Sequence, residues 1–324
     1  MSNSNELYKN TLIFADACTA CDGLPKGMLF DLVYIDPPFG VGVTMRARTQ
    51  KGEARGASQA AAAGPAAYED RDDTEALVQM LEPVLARIRE RMQPWATLYV
   101  HLDYRAVHDT KVLSDKVFGR GAFLSEVIWV PGNGAKRAKA FPVTHQTILL
   151  YARSQKDKRD VLFNVEDKEL REPYAKTSTA MHFTQKDAEG RLFRERVVNG
   201  KSYRYYADEG RRLGSVWADI PAMVANTPLR SETTGYPTQK PIRLLERIVK
   251  ASSAQGALVA DLMCGSGTTL VAAAALGRRF VGADKSPLAI STAGRRLSRA
   301  GFLYEGVDAK GDVLDVEGMG GRAD

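Results

Sequence analysis

Leu32-Val33-Tyr34-Ile35-Asp36-Pro37-Pro38-Phe39 is an apolar run that ends abruptly in one carboxylate, two prolines and an aromatic ring. Four apolar residues in succession suit a strand buried in a parallel sheet, and the prolines forbid that strand from continuing. The chain must therefore stop and present Asp36 at a strand's carboxyl end, the edge where open α/β sheets bind ligands. A carboxylate only accepts hydrogen bonds, and Pro37 and Pro38 add carbonyls without N–H groups to compete for them. Asp36 and the Pro37 carbonyl can each take one hydrogen of a planar exocyclic amine, which aims the nitrogen lone pair at an electrophile. Phe39 then offers a ring face for stacking. Taken alone, Asp-Pro-Pro is equally a strand end with a rigid turn, and the rest of the chain decides between the two.

Far downstream lies a second strand, turn and helix. Residues 256–261 read as a strand, Cys264-Gly265-Ser266-Gly267-Thr268-Thr269 as a tight turn opening a helix over 270–276, and 279–283 as a strand ending in Asp284. This βαβ unit has glycines after its first strand and an acid after its second, the spacing that lets a carboxylate take ribose hydroxyls. Leu270 stands where a dinucleotide fingerprint wants a third glycine, and no Gly-Lys-Ser/Thr of a phosphate loop is present. A nucleoside without a pyrophosphate fits such a turn, and S-adenosylmethionine is the common one.

Around these two stretches strands and helices alternate. Strands are expected over 11–15, 97–102, 124–130 and 147–151. Helices are expected over 74–92, with Leu77, Leu81, Leu85 and Ile88 on one face, over 104–118 and over 242–251. Residues 40–73 are dominated by Gly, Ala and Ser and read as a mobile loop placed to close over the substrate, with Arg46 and Arg48 able to touch phosphate. The loop over 131–139 carries Lys136, Arg137 and Lys139, a basic segment of the kind that follows a nucleic-acid backbone. From 152 to 235 the periodicity fades and arginines interleave with tyrosines, as on a surface that reads nucleic acid, although no named DNA-binding motif is visible. Residues 307–324 read as a frayed polar tail.

The 324 residues carry a net charge of +6, which permits a polyanionic partner. No apolar run approaches a membrane span and the first residues form no signal-peptide core, so a cytoplasmic protein is the expectation. Among the three cysteines, Cys18 and Cys21 lack the second ligand pair of a structural zinc, and no metal is expected.

Together these pieces resemble the β-class amino methyltransferases of DNA, in which the catalytic motif precedes the cofactor motif. Asp36-Pro37-Pro38-Phe39 is similar to their catalytic Asp-Pro-Pro-Tyr/Phe, Asp261 to Thr269 to their Asp-Pro-Phe-x-Gly-Ser-Gly-Thr-Thr loop, and Tyr236 to Pro241 to the Pro-Thr-Gln-Lys-Pro before it. The stretches 97–119, 125–151 and 215–221 are also similar. Leu262-Met263 depart from the usual Pro-Phe, an apolar contact that methionine can fill.

The resemblance implies a Rossmann-like α/β fold: a mostly parallel sheet with one antiparallel strand, helices on both faces, and a target-recognition insertion. The catalytic half would span 1–151, target recognition 152–235 and the cofactor half 236–306. It implies that Asp36 and Pro37, on the turn with Pro38, hold the target amine while Phe39 stacks on the base. Asp16, Ala17, Thr238, Gln239, Lys240, Asp261, Met263, Gly265, Ser266, Gly267, Thr268 and Asp284 would surround S-adenosylmethionine, with Asp284 at the ribose and Asp16 at the adenine amino group. The activity implied is site-specific transfer of a methyl group to adenine N6 in double-stranded DNA after base flipping. Related cytosine-N4 enzymes commonly carry Ser where Asp36 stands; a cytosine-N4 enzyme and a non-catalytic relative that binds DNA or cofactor are the alternatives. A homodimer and a companion restriction enzyme are compatible with the resemblance.

Overall fold

The computed structural model describes residues 9–38, 43–46, 66–70, 74–132, 139–223 and 232–319. Its strands in chain order are β1 (Thr11–Phe14), β2 (Phe30–Ile35), β3 (Val43–Arg46), β4 (Ala66–Asp70), β5 (Met92–Leu102), β6 (Phe123–Trp129), β7 (Gln146–Ala152), β8 (Arg171–Glu172), β9 (Gln185–Lys186), β10 (Leu192–Val198), β11 (Lys201–Tyr206), β12 (Arg211–Arg212), β13 (Val216–Trp217), β14 (Leu258–Asp261), β15 (Arg279–Asp284) and β16 (Glu305–Asp308). Its α-helices are α1 (Ala17–Gly23), α2 (Thr74–Arg91), α3 (Val107–Phe118), α4 (Lys176–His182), α5 (Ile242–Ser252), α6 (Thr268–Ala275) and α7 (Pro287–Arg299).

Nine of the described strands form one sheet in the order β13-β6-β7-β5-β2-β14-β15-β1-β16. Only β7 runs against its neighbours, and every other pairing is parallel. The mostly parallel sheet with one reversed strand is thus the architecture expected from the sequence. Its centre is apolar because β2 and β14 are covered on both faces: Leu32, Val33, Ile35, Val259 and Ala260 are fully buried. Asp31 pins the lower edge, its carboxylate accepting the Leu258 amide at 2.7 Å and the Trp95 indole N–H at 2.8 Å. On α2 the buried Leu77, Leu81, Val84, Leu85 and Ile88 recur at helical spacing and face the core. Truncating the fully buried Leu81 to Ala would cost about 2–5 kcal/mol. Among the described residues no helix is long and apolar enough to cross a membrane.

Two expectations change. Within 40–73, expected to be a loop throughout, the backbones of β3 and β4 pair antiparallel; the rest of that segment lies outside the described residues. The stretch 307–324 is not wholly a frayed tail. β16 pairs parallel with β1, the Leu314 amide donates to the Gly306 carbonyl at 2.9 Å, and Val316 is buried. Val316 fits because Gly306 and Gly294 leave room, since a Cβ at Gly306 would stand 2.4 Å from its methyl carbon.

A second compact unit comprises Asn164–Gly214. It is narrower than the 152–235 insertion expected, because the segment after it returns to the main sheet. β13 pairs with β6, the Trp129 indole donates to the Ile220 carbonyl at 2.7 Å, and Arg247 grips Asp219 with two guanidinium nitrogens. The unit's largest element is the hairpin β10–β11, joined on one edge by β9; β8 pairs with β12.

Candidate active site

Aspartates stand at or just beyond the carboxyl ends of five parallel strands: Asp16 after β1, Asp36 after β2, Asp103 after β5, and Asp261 and Asp284 closing β14 and β15. Asp103 is neutralised locally by the Arg105 backbone amide and guanidinium. The other four line one cavity of about 360 Å³, walled by the proline turn, the Gly265 turn, the 236–240 loop and residues of α2. The two turns, distant in sequence, thus open onto the same space.

Pro37 and Pro38 hold Asp36 at the cavity wall with little exposure. Its Oδ2 accepts from Lys240 Nζ in a buried ion pair that spans 204 positions of chain. Its Oδ1 is buried and has no hydrogen-bond partner among the described residues. Burial pushes the Asp36 carboxyl above its ordinary value, and the charge and hydrogen bond of Lys240 oppose that shift. Lys240 is placed by its own loop: its Nζ also reaches the Thr238 carbonyl at 3.5 Å, and Thr238 has φ 58°. For a β-branched residue a left-handed backbone is strained, and such strain concentrates at functional turns.

The glycine turn needs its glycines. Gly265 (φ 49°) lies under the Tyr236 ring, and at Gly267 (φ 75°) a Cβ would meet Ala293 Cβ at 2.7 Å. Asp284 fixes the turn by accepting the Gly265 amide at 2.9 Å, and its other oxygen takes the Ser286 amide at 2.8 Å. Arg296 on α7 braces the turn from behind, donating to the Ser266 carbonyl at 2.7 Å and the Thr268 hydroxyl at 2.9 Å. Burial lowers the Arg296 guanidinium to about 10, with Glu232 acting the other way. Asp261 accepts the Met263 amide at 3.2 Å; burial raises its carboxyl to about 7 despite a hydrogen bond from Thr269. Burial, with Asp284 and Asp261 nearby, also drives the Cys264 thiol well above its ordinary value, so it is no thiolate nucleophile.

Asp36, Pro37, Pro38, Asp16, Ala17, Thr238, Gln239, Lys240, Asp261, Met263, Gly265, Ser266, Thr268 and Asp284 all border the cavity. Asp16 also caps α1, accepting from the Cys18 and Thr19 amides at 3.0 and 3.1 Å. Burial raises its carboxyl, but the bonds from Thr19 and Cys18 outweigh this and lower it overall. Gly267 packs behind the turn, against α7. Gln239, expected at the cofactor, has both ends of its carboxamide engaged in its own loop, with Thr234 at 2.7 Å and the Glu232 carbonyl at 2.8 Å. Phe39, Arg48, Lys136 and Arg137 lie outside the described residues, as does the side chain of Arg46; Lys139 is exposed.

Sequence reading missed a buried polar chain at the floor of the site. The Tyr34 hydroxyl lies 2.8 Å from His101 Nδ1, and His101 Nε2 lies 2.7 Å from the Gln146 carboxamide oxygen. Because that oxygen only accepts, Nε2 carries the proton and Nδ1 accepts from Tyr34. Burial first, then the charge of Lys240, press the imidazole well below its ordinary value and keep it neutral. Tyr34 in turn is raised by burial and by the charges of Asp36 and Asp261, so it remains a phenol. A histidine two residues before a strand-terminal aspartate was the available signal.

The chain matches the family model described as DNA methylase over residues 30–294. It is 25% identical over 333 residues to the type II methyltransferase M.EcaI of Enterobacter cloacae, covering 91% of this chain and 71% of that one. It is 24% identical over 291 residues to the DNA adenine methyltransferase YhdJ of Escherichia coli (strain K12), covering 90% and 83%. Among solved structures, TTHA0409 of Thermus thermophilus in complex with S-adenosyl-L-methionine superposes with a TM-score of 0.52 at 20% identity, over 92% of this chain and 100% of that one.

Proposed function

Because this chain belongs to the N6-adenine/N4-cytosine family of DNA methylases, we propose that it methylates adenine N6 at a specific site in double-stranded DNA. The cofactor is S-adenosylmethionine, which when bound supplies an electrophilic methyl group. The chemistry of the cavity wall fits a nucleoside cofactor: a backbone that approaches closely at Gly265, acidic groups at Asp284 and Asp16, and no phosphate-cradling lysine on the turn.

The observation that carries the reading is the Asp36 carboxylate, one oxygen held by Lys240 and the other buried beside the glycine turn without a partner among the described residues. An unpaired buried acceptor is costly, and an exocyclic amine entering the cavity would satisfy it. The Pro37 carbonyl, with no neighbouring proline N–H in competition, takes the second hydrogen. Those two bonds orient the amine lone pair toward the glycine-turn side of the cavity, and alignment and polarisation supply the rate gain. Asp36 acts as an acceptor and orienter, and the proton leaves to water after transfer. A base inside a duplex cannot reach such a cavity, so the target nucleotide is extruded, at a cost of a few kcal/mol. In this reading the Asn164–Gly214 unit belongs to target recognition, and the protein works on cytoplasmic DNA.

The test is to incubate purified protein and S-adenosylmethionine with unmodified genomic DNA, digest part of it for nucleoside analysis, and map the rest by single-molecule sequencing. N6-methyladenine at one recurrent sequence is expected. N4-methylcytosine instead would move the target to the other amine of the family, and no modified base would remove the activity.

A further inference from the structure

Arginine and tyrosine density made the whole of 152–235 look like a nucleic-acid surface, but most of the described arginines there are already engaged. Within the Asn164–Gly214 unit, Arg171 pairs with Glu166, Arg191 with Asp208 and Glu209, Arg204 with Glu195, and Arg211 with Glu172. Arg191 and Arg204 also lie over the rings of Tyr206 and Phe193 at 3.9 and 4.1 Å, and Arg194 stacks among Tyr174, Phe183 and Tyr205. These arginines are engaged within the unit.

The β10–β11 hairpin sorts them by face. The register places Phe193, Glu195 and Val197 opposite Tyr206, Arg204 and Ser202, and that face is closed by the Glu195–Arg204 pair over Phe193. The other face carries Arg194, Arg196 and Val198 opposite Tyr205, Tyr203 and Lys201. Tyr174 and Phe183 cover its inner end at Arg194. Its outer end, Arg196 with Tyr203 and Val198 with Lys201, is exposed, and neither Arg196 nor Lys201 has an ion pair among the described residues. At the tip Asn199 (φ 52°) and Gly200 (φ 76°) are both left-handed, as in the two-residue turn whose twist matches the strands it joins.

We infer that the outer half of the β10–β11 hairpin enters the major groove of duplex DNA, with Arg196 on a base edge and Lys201 on a phosphate. This rests on the proposed DNA methylation and names the element that reads the site. A two-stranded ribbon fits the major groove, an arginine fork matches the guanine O6 and N7 acceptors, and a compact ammonium suits a phosphate oxygen. Two cations with no ion pair among the described residues, beside an exposed tyrosine on a hairpin whose opposite face is internally neutralised, complement a polyanion on one side only.

The experiment uses the full chain, a labelled duplex carrying the mapped site, and anisotropy titrations from low to moderate salt. Lys201→Ala should lower the slope of log affinity against log salt by about 1 on every sequence. Arg196→Ala should relax one guanine position of the mapped site roughly 10- to 100-fold, seen as new methylated sequences on genomic DNA. Arg204→Gln, on the closed face, should change neither. Circular dichroism and cofactor calorimetry check that the variants fold, and Arg196→Gln replaces Arg196→Ala if the latter does not. An unchanged slope in Lys201→Ala together with unchanged sites in Arg196→Ala overturns the hairpin and leaves the activity standing. An equal effect of Arg204→Gln also overturns it. A wild-type protein that binds DNA through these residues yet never methylates would instead sink the activity and leave the hairpin.

Discussion

At the end of β2 two prolines leave Asp36 with an oxygen that no described donor reaches, whereas at the end of β15 the glycine turn and its neighbour give Asp284 one backbone amide for each oxygen. Both carboxylates are raised by burial, and both border one cavity. What separates them is the supply of N–H groups. Prolines have none to give, so Asp36 keeps capacity for a ligand, and its one partner is a side chain brought from far along the sequence. Glycines allow the backbone to fold over Asp284, so that carboxylate becomes part of the scaffold. The difference teaches that a glycine turn can supply a carboxylate with backbone donors, while a proline turn leaves an oxygen open to what enters the cavity.

The contrast breaks most directly at Asp36. Asp36→Ala is expected to reduce methylation by about a hundredfold or more while calorimetric affinity for S-adenosylmethionine stays within a fewfold; a variant with full activity would end the distinction between the turns. Next in size is Lys240→Met. Asp36 would keep its burial and lose the cation opposing it, with Tyr34 and Asp261 the groups still facing it. Its folded pKa is already raised, so loss of Lys240 raises it further, and the carboxylate form is lost at a higher pH. The acid limb of the kcat profile should therefore move to higher pH, with roughly tenfold loss where the two profiles diverge, and Lys240→Arg should restore most of it. An unmoved limb would mean that the ion pair has no part in keeping Asp36 charged. The smallest effect is expected at the satisfied turn. Gly267→Ala places a methyl group 2.7 Å from Ala293 Cβ at a left-handed φ, and a loss of about 1–3 kcal/mol in urea unfolding should follow. No loss would mean that α7 yields freely.

Much of this frame was legible in the chain. The apolar run before Asp36, the glycines at 265 and 267, and the leucine spacing of α2 are local patterns, and local patterns fix strand ends, turns and helix faces. Their placement on one cavity followed from a parallel sheet, whose carboxyl edges lie together. What escaped were pairings between distant residues. Lys240 with Asp36, His101 with Tyr34 and Gln146, and Arg247 with Asp219 are joined only by the fold, and no spacing announces them. The arginines of 164–214 misled for the same reason. Sequence shows a cation, and only the structure shows whether a carboxylate already faces it.

The strand order has a further consequence, for how the chain matures. β2 and β14 are direct neighbours at the middle of the sheet, yet Asp31 of the one and Leu258 of the other, joined by a hydrogen bond, stand 227 positions apart in the chain. A growing polypeptide can complete the proline turn early but must wait for β14 before its sheet can close, and such long-range closure is slow. The Asp36 carboxylate and its lysine meet only after the 204 positions that separate them have been made, so a chain stopped short of Lys240 lacks this ion pair.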